Sequence, residues 1–349
     1  MSRINPFIFG FLFLISCTQE YQPRKIEKVT ITTHKIDSSS IRTLVAIDNE
    51  NMSFAGSLGN FSTTSNGGKT WSTLTLKYQD SIVPHFRSLA FNGHDYFALS
   101  IGNPALLYKI SEDKATIVYS ESHENVFYDA LTFFDDNRHG IAVGDPTENC
   151  ASIIITADSG ETWQKIPCDN LPEIAQGEAF FAASNTNIKT MGSTVWIASG
   201  GTKARVLKST NFGKSWQVYN TPIAQGNGPQ GIYSIDFYDE NNGFIIGGNY
   251  EKPTENNANK ALTTDGGKTW QLVGINTTPN YKSCVQYLPN TGGKELFVVG
   301  KTGISFSNDG GKTFSDVSKD GFYAIQFVDE NTAWLTGHKK VGKMSLQKK

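Results

Sequence analysis

The chain has 349 residues, of which 38% are hydrophobic and 12% aromatic, so it can bury a large core and its composition excludes bulk disorder. Its formal net charge is −2, and its lysines and arginines form no stripe along the sequence, which argues against a nucleic-acid partner. Short β-branched and aromatic runs recur between glycine-rich turn signals, and no long apolar stripe with a 3.6-residue period appears. These features predict an all-β protein.

The N-terminus has the features of a secretory signal. The sequence MSRINPFIFGFLFLISC places Arg3 before an apolar run at 7–15, which is shorter than the roughly 20 residues that a membrane-spanning helix needs. Its last four letters, LISC, resemble the lipobox of bacterial lipoproteins. This implies a lipoprotein signal peptide at 1–16, a lipidated Cys17 with a polar tether at 17–25, and a location in the bacterial cell envelope, facing the periplasm or the cell surface. The lipid anchor is then the expected membrane contact, and the alternative is an ordinary cleaved signal with an incidental Cys17.

An eight-residue pattern, Ser/Thr-x-Asp/Asn-x-Gly-x-Thr/Ser-aromatic, recurs five times along the chain. The copies are TSNGGKTW (64–71), TADSGETW (156–163), STNFGKSW (209–216), TTDGGKTW (263–270) and SNDGGKTF (307–314). The Asp or Asn can accept hydrogen bonds from backbone N–H groups ahead of it, and the glycine can adopt a positive φ. A calcium loop would need several alternating oxygen ligands, whereas the fourth copy offers only Asp265. The pattern therefore predicts a structural corner between two strands.

The spacing of these corners indicates a β-propeller. Their Asp or Asn positions are 92, 53, 54 and 44 residues apart, and we interpret Asp113 as a degenerate corner that divides the first interval. Seven candidate innermost strands are IRTLVAI (41–47), FRSLAF (86–91), YDALTF (128–133), EAFFAAS (178–184), YSIDFY (233–238), SCVQY (283–287) and FYAIQF (322–327). We expect one seven-bladed β-propeller of four-stranded antiparallel blades over 26–349, closed by the N-terminal strand IEKVTITTH (26–34), with six blades as the alternative.

The corners resemble the Asp-box, or BNR, repeat. Longer blocks are similar to those of bacterial propellers related to the photosystem II stability/assembly factor: GDPTENCASIIITADSGETW (144–163), GEAFFAAS (177–184), ARVLKSTNFGKSW (204–216) and GIYSIDF (231–237). The resemblance covers nearly all of the chain after the signal. It implies a propeller that binds or assembles a client, but the repeat specifies fold better than activity. No cofactor is expected.

Motifs for catalysis are absent or out of context. GNGPQG (226–231) matches the dinucleotide pattern G-x-G-x-x-G, but it precedes the strand IYSIDF instead of following one, which predicts a loop. Sialidases combine Asp boxes with three arginines for the substrate carboxylate, and arginine is scarce in this chain, which argues against that activity. The six histidines show no metal-ligand spacing, so no metal site is predicted.

The candidate binding site is a column of residues near the start of each innermost strand. Alignment on the apolar positions groups Arg42, Arg87, Asp129, Glu178, Tyr233, Ser283 and Tyr323. Because strand side chains alternate and innermost strands line the channel, this column should form a ring at one mouth, which Asp145 could share. We hypothesise that the ligand-binding residues are Arg42, Arg87, Asp129, Glu178, Tyr233, Tyr323 and Asp145, with the arginines gripping an anionic or carbonyl group. The competing interpretation is that the arginines pair with acids of the column only to satisfy buried charge.

Two functions of different class follow from this column. The leading hypothesis is a non-enzymatic, envelope-anchored propeller that binds an unknown protein or glycan client at the central funnel. The alternative is a glycan-acting hydrolase, which needs two carboxylates facing each other across a cleft. Asp129, Asp145 and Glu178 are the candidate carboxylates.

Two cysteines flank the second corner. If Thr156 pairs near Trp163, the numbers of paired residues sum to 318 or 319, so Cys150 and Cys168 should face each other across the ribbon. An oxidising compartment favours a disulfide between them, and two reduced thiols are the alternative. Cys284 is then expected to be a lone thiol.

Overall fold

The computed structural model describes residues 21–26, 28–112 and 114–347. The predicted signal peptide, Cys17 and the degenerate corner at Asp113 lie outside the described residues. Within these ranges, no helix is both long enough and apolar enough to cross a membrane.

The described chain is built almost entirely of short strands. They are β1 (Val29–Ala46), β2 (Met52–Gly56), β3 (Asn60–Thr64), β4 (Ser72–Thr75), β5 (His85–Phe91), β6 (Tyr96–Ile101), β7 (Ala105–Ser111), β8 (Lys114–Glu121), β9 (Tyr128–Phe133), β10 (Gly140–Gly144), β11 (Ser152–Thr156), β12 (Gln164–Lys165), β13 (Glu178–Ala179), β14 (Ile188–Met191), β15 (Thr194–Ala198), β16 (Gly200–Gly201), β17 (Arg205–Ser209), β18 (Gln217–Asn220), β19 (Gln230–Phe237), β20 (Gly243–Asn249), β21 (Lys260–Thr263), β22 (Gln271–Leu272), β23 (Cys284–Tyr287), β24 (Leu296–Gly300), β25 (Gly303–Ser307), β26 (Ser315–Ser318), β27 (Ala324–Phe327) and β28 (Thr332–Leu346). One 3₁₀ helix spans Cys168–Asn170.

The strands form an all-β propeller of four-stranded antiparallel blades, in which each blade runs outward from its innermost strand, as in β5-β6-β7-β8. By hydrogen bonding the described strands make six sheets. Four of them have four strands, and the other two, β27-β28-β1-β2-β3-β4 and β13-β16-β19-β20-β21-β22, have six. The count of seven blades therefore stays a prediction.

The long strand β1 joins the two ends of the chain. Its first part, from Val29 to Lys35, pairs antiparallel with β28, and its second part, from Ile41 to Ala46, pairs with β2. The register shifts between these two parts, after Lys35. As expected, an N-terminal strand seals the C-terminal one, so the ring closes without an exposed sheet edge at the junction.

Hydrophobic cores lie between neighbouring sheets. One core packs Phe97 and Leu107 from the sheet of β5–β8 against Tyr128, Leu131 and Ile154 from the sheet of β9–β12. All five residues are 0% exposed, which is typical of a close-packed interior. Each blade is thus held by the apolar faces of its neighbours.

The five repeated corners are structural, as predicted. In the fourth copy, Asp265 accepts backbone hydrogen bonds from Lys268 at 3.0 Å and Thr269 at 2.9 Å, and Gly267 has a φ of +86°. The hydroxyl of Thr263 accepts from the backbone N–H of Gly267, and the indole N–H of Trp270 donates to the Gly267 carbonyl. The other four copies repeat the bond from the central glycine N–H to the leading hydroxyl. The pattern is a turn and not a ligand site.

The predicted innermost strand at 178–184 is wrong. Only β13, at its first two residues, is extended, and the innermost strand of this blade is β14. Residues 180–186, which we call the channel segment, instead occupy the central channel. The Asn185 carboxamide bonds to the backbone of Leu89 and Leu131 on the innermost strands of two other blades, at 2.9 to 3.2 Å.

Two hydroxyl groups extend this contact to the opposite side of the channel. Ser184 donates to the carbonyl of Ser283, and Thr186 shares a hydrogen bond of 2.6 Å with Ser234. The alternating letters of EAFFAAS suit a strand equally well, so only the contacts across the channel decide the outcome. The segment ties four innermost strands together.

Cys150 and Cys168 form a disulfide, with a Cα–Cα distance of 5.5 Å. The predicted pairing register is observed, because Ile154 pairs with Lys165 and the Ile166 N–H donates to the Ile153 carbonyl at 2.8 Å, although the ladder ends before the two cysteines. Cys168 is the first residue of the 3₁₀ helix, and the backbone of Cys150 forms an isolated antiparallel β-bridge with Glu173. Cys284 is a free, buried thiol among the described cysteines.

The predicted tether is described from Tyr21 onward, and there it is bound to the propeller. We call residues 21–26 the entry segment. Arg24 donates from Nε at 2.9 Å and from Nη2 at 2.7 Å to one oxygen of Glu295, and its backbone N–H donates to the other at 2.7 Å. The Tyr21 hydroxyl also bonds to Glu295, and burial followed by this contact raises the pKa of Tyr21 to about 12. The entry segment is therefore a structural part of the ring.

Candidate functional site: a cavity with two arginines

One mouth of the channel holds a cavity of about 630 Å³, which we call the arginine cavity. It lies where innermost strands begin and second strands end. From the predicted column it is lined by Arg42, Arg87, Asp129, Tyr233, Ser283 and Tyr323, and from the second strands by Asp145 and Lys301. Six of the seven residues that the alignment groups therefore line the same cavity.

Glu178 is the exception, because it does not line this cavity. It is 3% exposed, its carboxylate forms a bidentate ion pair with Arg205, and it also accepts from the Ser199 hydroxyl. Its strand, β13, pairs with β16 instead of taking an innermost place. The prediction that Glu178 lines the channel is therefore wrong, and Glu178 is not part of the candidate binding site.

The two arginines of the cavity have no carboxylate partner. Of the described arginines, Arg24 and Arg205 form ion pairs, whereas Arg42 and Arg87 form none. Each donates one long hydrogen bond to the channel segment, from Arg42 to the Ala183 carbonyl at 3.4 Å and from Arg87 to the Ala182 carbonyl at 3.5 Å. The ion pairs with column acids that the competing interpretation requires are therefore not formed among the described residues.

Aromatic faces hold the guanidinium groups. The Arg42 guanidinium lies 4.3 Å from the ring centroid of Tyr323, and that of Arg87 lies 5.8 Å from the ring centroid of Phe127. Burial lowers the pKa of Arg87, and the charge of Arg42 lowers it further. Arginine stays cationic under such conditions because its ordinary pKa exceeds 12, so both groups remain fixed positive charges.

The two acids of the cavity both have raised pKa values, but to different extents. Asp129 is fully buried, and neither carboxyl oxygen has a hydrogen-bond partner of good geometry within the described chain. Burial, with the neighbouring Asp145 carboxyl, raises the pKa of Asp129 well above its usual range, and Arg87 offsets part of this effect. Asp145 accepts from the Phe180 backbone N–H at 2.8 Å, and burial raises its pKa to about 6. At neutral pH Asp145 is mostly ionised whereas Asp129 stays neutral, so the two arginines outnumber the one carboxylate of the cavity.

The opposite wall is aromatic. Phe181 stacks on Tyr233 with ring centroids 4.1 Å apart, and Tyr233 meets Tyr281 edge-on at 4.9 Å. Tyr250 borders the same wall and is 45% exposed. The sequence argument missed Phe127, Phe181, Tyr250 and Tyr281. Phe127 and Tyr281 precede Asp129 and Ser283 of the column by two residues, so strand alternation could have found them.

The channel segment forms the floor. Ala182 and Ala183 line the arginine cavity, whereas Ser184 and Asn185 line a second cavity of about 450 Å³ at the other end of the channel. In the second cavity the polar groups are paired, as in the 2.7 Å contact between Lys189 and Asp236. The unpaired cations thus lie on one side of the floor.

The site has the chemistry of a binding pocket for an anionic or carbonyl group beside an apolar one. Across the described part of the chain, no group of three or more His, Cys, Asp or Glu residues is placed to hold a metal ion. Guanidinium groups bind carboxylates and carbonyls through several N–H donors, and aromatic walls bury apolar side chains.

Comparisons with known proteins agree with the fold. The BNR/Asp-box repeat model matches residues 261–272, and no curated protein sequence matches the chain. Among solved structures, "YCF48 bound to D1 peptide" has a TM-score of 0.65 at 15% identity, covering 93% of this chain and 100% of that one. YCF48 from Cyanidioschyzon merolae has a TM-score of 0.61 at 15% identity, covering 90% and 98%.

A propeller of another kind is equally similar. The RRP9 WD40 repeats have a TM-score of 0.65 at 12% identity, covering 94% of this chain and 100% of that one. At such identities the likeness shows the fold alone. With the five corners, these findings identify the chain as a β-propeller with BNR/Asp-box repeats that resembles the photosystem II assembly factor YCF48 in structure.

Proposed function

We propose that this protein is a non-enzymatic binding or assembly propeller that holds a segment of a protein client in the arginine cavity. The observation that carries the proposal is the pair of guanidinium groups, Arg42 and Arg87, which line a cavity without any carboxylate partner among the described residues. A cation pair that does not serve a protein carboxylate is available to a ligand. Structural arginines, by contrast, are paired, as Arg24 and Arg205 are here.

The two walls favour a peptide over a glycan. A peptide presents carbonyl and carboxylate groups to Arg42 and Arg87 while an adjacent apolar side chain packs on Tyr233 and Phe181. A YCF48 structure contains a D1 peptide, so a propeller of similar fold has a peptide client. We therefore favour the protein client.

The cellular setting that we propose is the bacterial cell envelope, with the protein anchored through a lipid on Cys17. The supporting observation is the LISC sequence after an apolar run too short to span a bilayer. A lipid-anchored propeller would gather clients at the membrane surface.

We also propose that the ring has seven blades. The support is the register shift in β1 after Lys35, which divides the sheet β27-β28-β1-β2-β3-β4 into two groups. In this interpretation β28 supplies two strands, because residues 333–336 pair with β27 and residues 340–346 pair with the first part of β1. These four strands form one blade, and the second part of β1 opens the next.

The alternative, a glycan-acting hydrolase, draws on one observation. Asp129 and Asp145 are carboxyl groups with raised pKa values that line one cavity, which is a feature of general acids. However, Asp129 is fully buried and Asp145 is bound to the Phe180 backbone. A glycosidase needs two carboxyl groups that reach the sugar from opposite sides, so we favour binding over hydrolysis.

The test is affinity capture of the tagged protein from its own envelope, followed by quantitative mass spectrometry. Arg87→Ala should remove the specific client with little change in melting temperature, because Arg87 has no carboxylate partner to leave unpaired. Arg138→Ala is the matched control, since Arg138 is exposed and, within the described chain, its side chain donates only to the Ala157 carbonyl. Equal capture by both variants would contradict the proposal. Release of reducing sugar from envelope glycans, lost in Asp145→Asn, would favour the hydrolase.

A further inference from the structure

The entry segment and the arginine cavity lie on opposite faces of the ring. Because neighbouring strands of a blade are antiparallel, the first strand starts on the same face of the ring on which the second strand ends. The arginine cavity is lined by residues near the starts of innermost strands, such as Arg42 and Arg87, and by Asp145 after the end of β10. We call this side the cavity face.

The contacts of the entry segment all lie on the opposite face of the ring. The repeated corners lie on this face too, and we call it the Asp-box face. Glu295 comes directly before β24, a second strand, and Glu330 and Asn331 lie in the turn between β27 and β28. Arg24 donates to the Glu330 carbonyl at 2.8 Å and to the Asn331 side chain at 3.0 Å, and Asn308 in the last corner donates to the Arg24 carbonyl. The chain therefore enters the propeller at the Asp-box face.

This attachment is firm because it centres on a buried charge. The Glu295 side chain is 0% exposed, and the hydrogen-bond donors that reach its carboxylate come from Tyr21 and Arg24. Detaching the segment would leave an unpaired carboxylate in the protein interior, which is strongly destabilising. The entry point is thus fixed relative to the blades.

From these contacts we infer that the bilayer meets the Asp-box face and that the arginine cavity opens away from the membrane. The inference rests on the proposed lipidation of Cys17. Cys17 precedes Tyr21 by four residues, and four residues span at most about 14 Å. The lipid therefore stays close to the Asp-box face, and clients approach the arginine cavity from the aqueous side.

The test is resonance energy transfer from a dye on the lipidated, full-length protein to labelled lipid in phosphatidylcholine vesicles. Two exposed positions in the blade of β19–β22 form a matched pair: Lys268→Cys in the corner on the Asp-box face, and Glu251→Cys after β20 on the cavity face. Both are labelled at the introduced thiol, because Cys284 is buried and Cys150 and Cys168 are bonded to each other. We expect at least twofold more transfer from the Lys268→Cys position.

A double variant tests the cause of the orientation. Arg24→Gln with Glu295→Gln removes both charges together, so no unpaired carboxylate remains, and it should abolish the difference between the two dyes while the melting transition persists. Equal or reversed transfer in the otherwise native protein would overturn the orientation, and an unchanged difference in the double variant would overturn its assignment to the entry segment. Absence of vesicle binding at both positions would instead refute the anchoring itself, and with it the orientation.

Discussion

Arg205 binds both carboxylate oxygens of Glu178, with Nε–Oε1 at 3.0 Å and Nη2–Oε2 at 2.6 Å. Glu178 therefore stabilises the fold through this ion pair, although the sequence alignment groups it with Arg42 and Arg87 as a candidate binding residue. The Glu178 side chain is 0% exposed, so its negative charge depends on the guanidinium.

Removal of Arg205 should therefore destabilise the fold. Arg205→Ala leaves a buried carboxylate unpaired, and we expect the free energy of unfolding to fall by about 3–5 kcal/mol in urea titration. The control is Lys35→Ala, which breaks the exposed contact with Asp37 and should change the free energy of unfolding by less than about 0.5 kcal/mol. Equal effects of the two variants would show that the buried pair is not structural.

Asn185 should be a second stability-determining residue. It has a φ of 63°, and its carboxamide makes three hydrogen bonds to the backbone of other blades. Asn185→Gly keeps the backbone conformation but loses these bonds, so unfolding should become easier by about 1–3 kcal/mol. Asn185→Ala should cost a further 1–2 kcal/mol or so, because alanine disfavours a positive φ. Thermal melting of both variants measures the two contributions separately, and native-like stability of both would contradict the role of the channel segment.

The corner acid Asp265 should make stability depend on acid pH. Hydrogen bonds from Thr269, Thr263 and Lys268 outweigh burial and lower the pKa of Asp265 to about 2, from 3.8 in the unfolded chain. The stabilisation is present above about pH 4 and is lost as the pH falls through about 2. Asp265→Asn should lose this dependence while keeping the corner, as Asn66 and Asn211 do in two other copies. The measurement is the free energy of unfolding from pH 2 to 5, and parallel curves for the two proteins would refute the prediction.

Asp145 should have the opposite pH dependence. Burial raises its pKa to about 6 from 3.8, so its contribution to stability is fully present below about pH 4 and is lost as the pH rises through about 6. Asp145→Asn should therefore be more stable than the native protein near pH 8 and similar to it near pH 4. Because Asp129 is coupled to Asp145, the Asp129→Asn variant is the reference that separates the two titrations. A native protein that is more stable than Asp145→Asn near pH 8 would mean that the carboxylate is stabilised by a partner.

Local chemistry explains why the sequence predicts most of this structure. The corners follow from side chains that bond to their own turn, as Thr263 and Asp265 do, so they need no information from distant residues. The position of Arg42 and Arg87 at one mouth follows from strand alternation and from their place on innermost strands. These are properties of short windows.

The errors arise where distant contacts decide. Glu178 left the predicted ring because Arg205 and Ser199, more than 20 residues away, satisfy its charge. The entry segment has the polar composition of a free linker, and only the buried Glu295 holds it in place. Tertiary contacts override composition in each case.

The channel segment also limits how a client can move. Its backbone separates the arginine cavity from the second cavity, and its side chains are bonded to the innermost strands of four blades. The ring is therefore a cup closed at the bottom, not a tube. A polypeptide cannot be threaded through it, so a client bound as we propose would enter and leave by the same mouth.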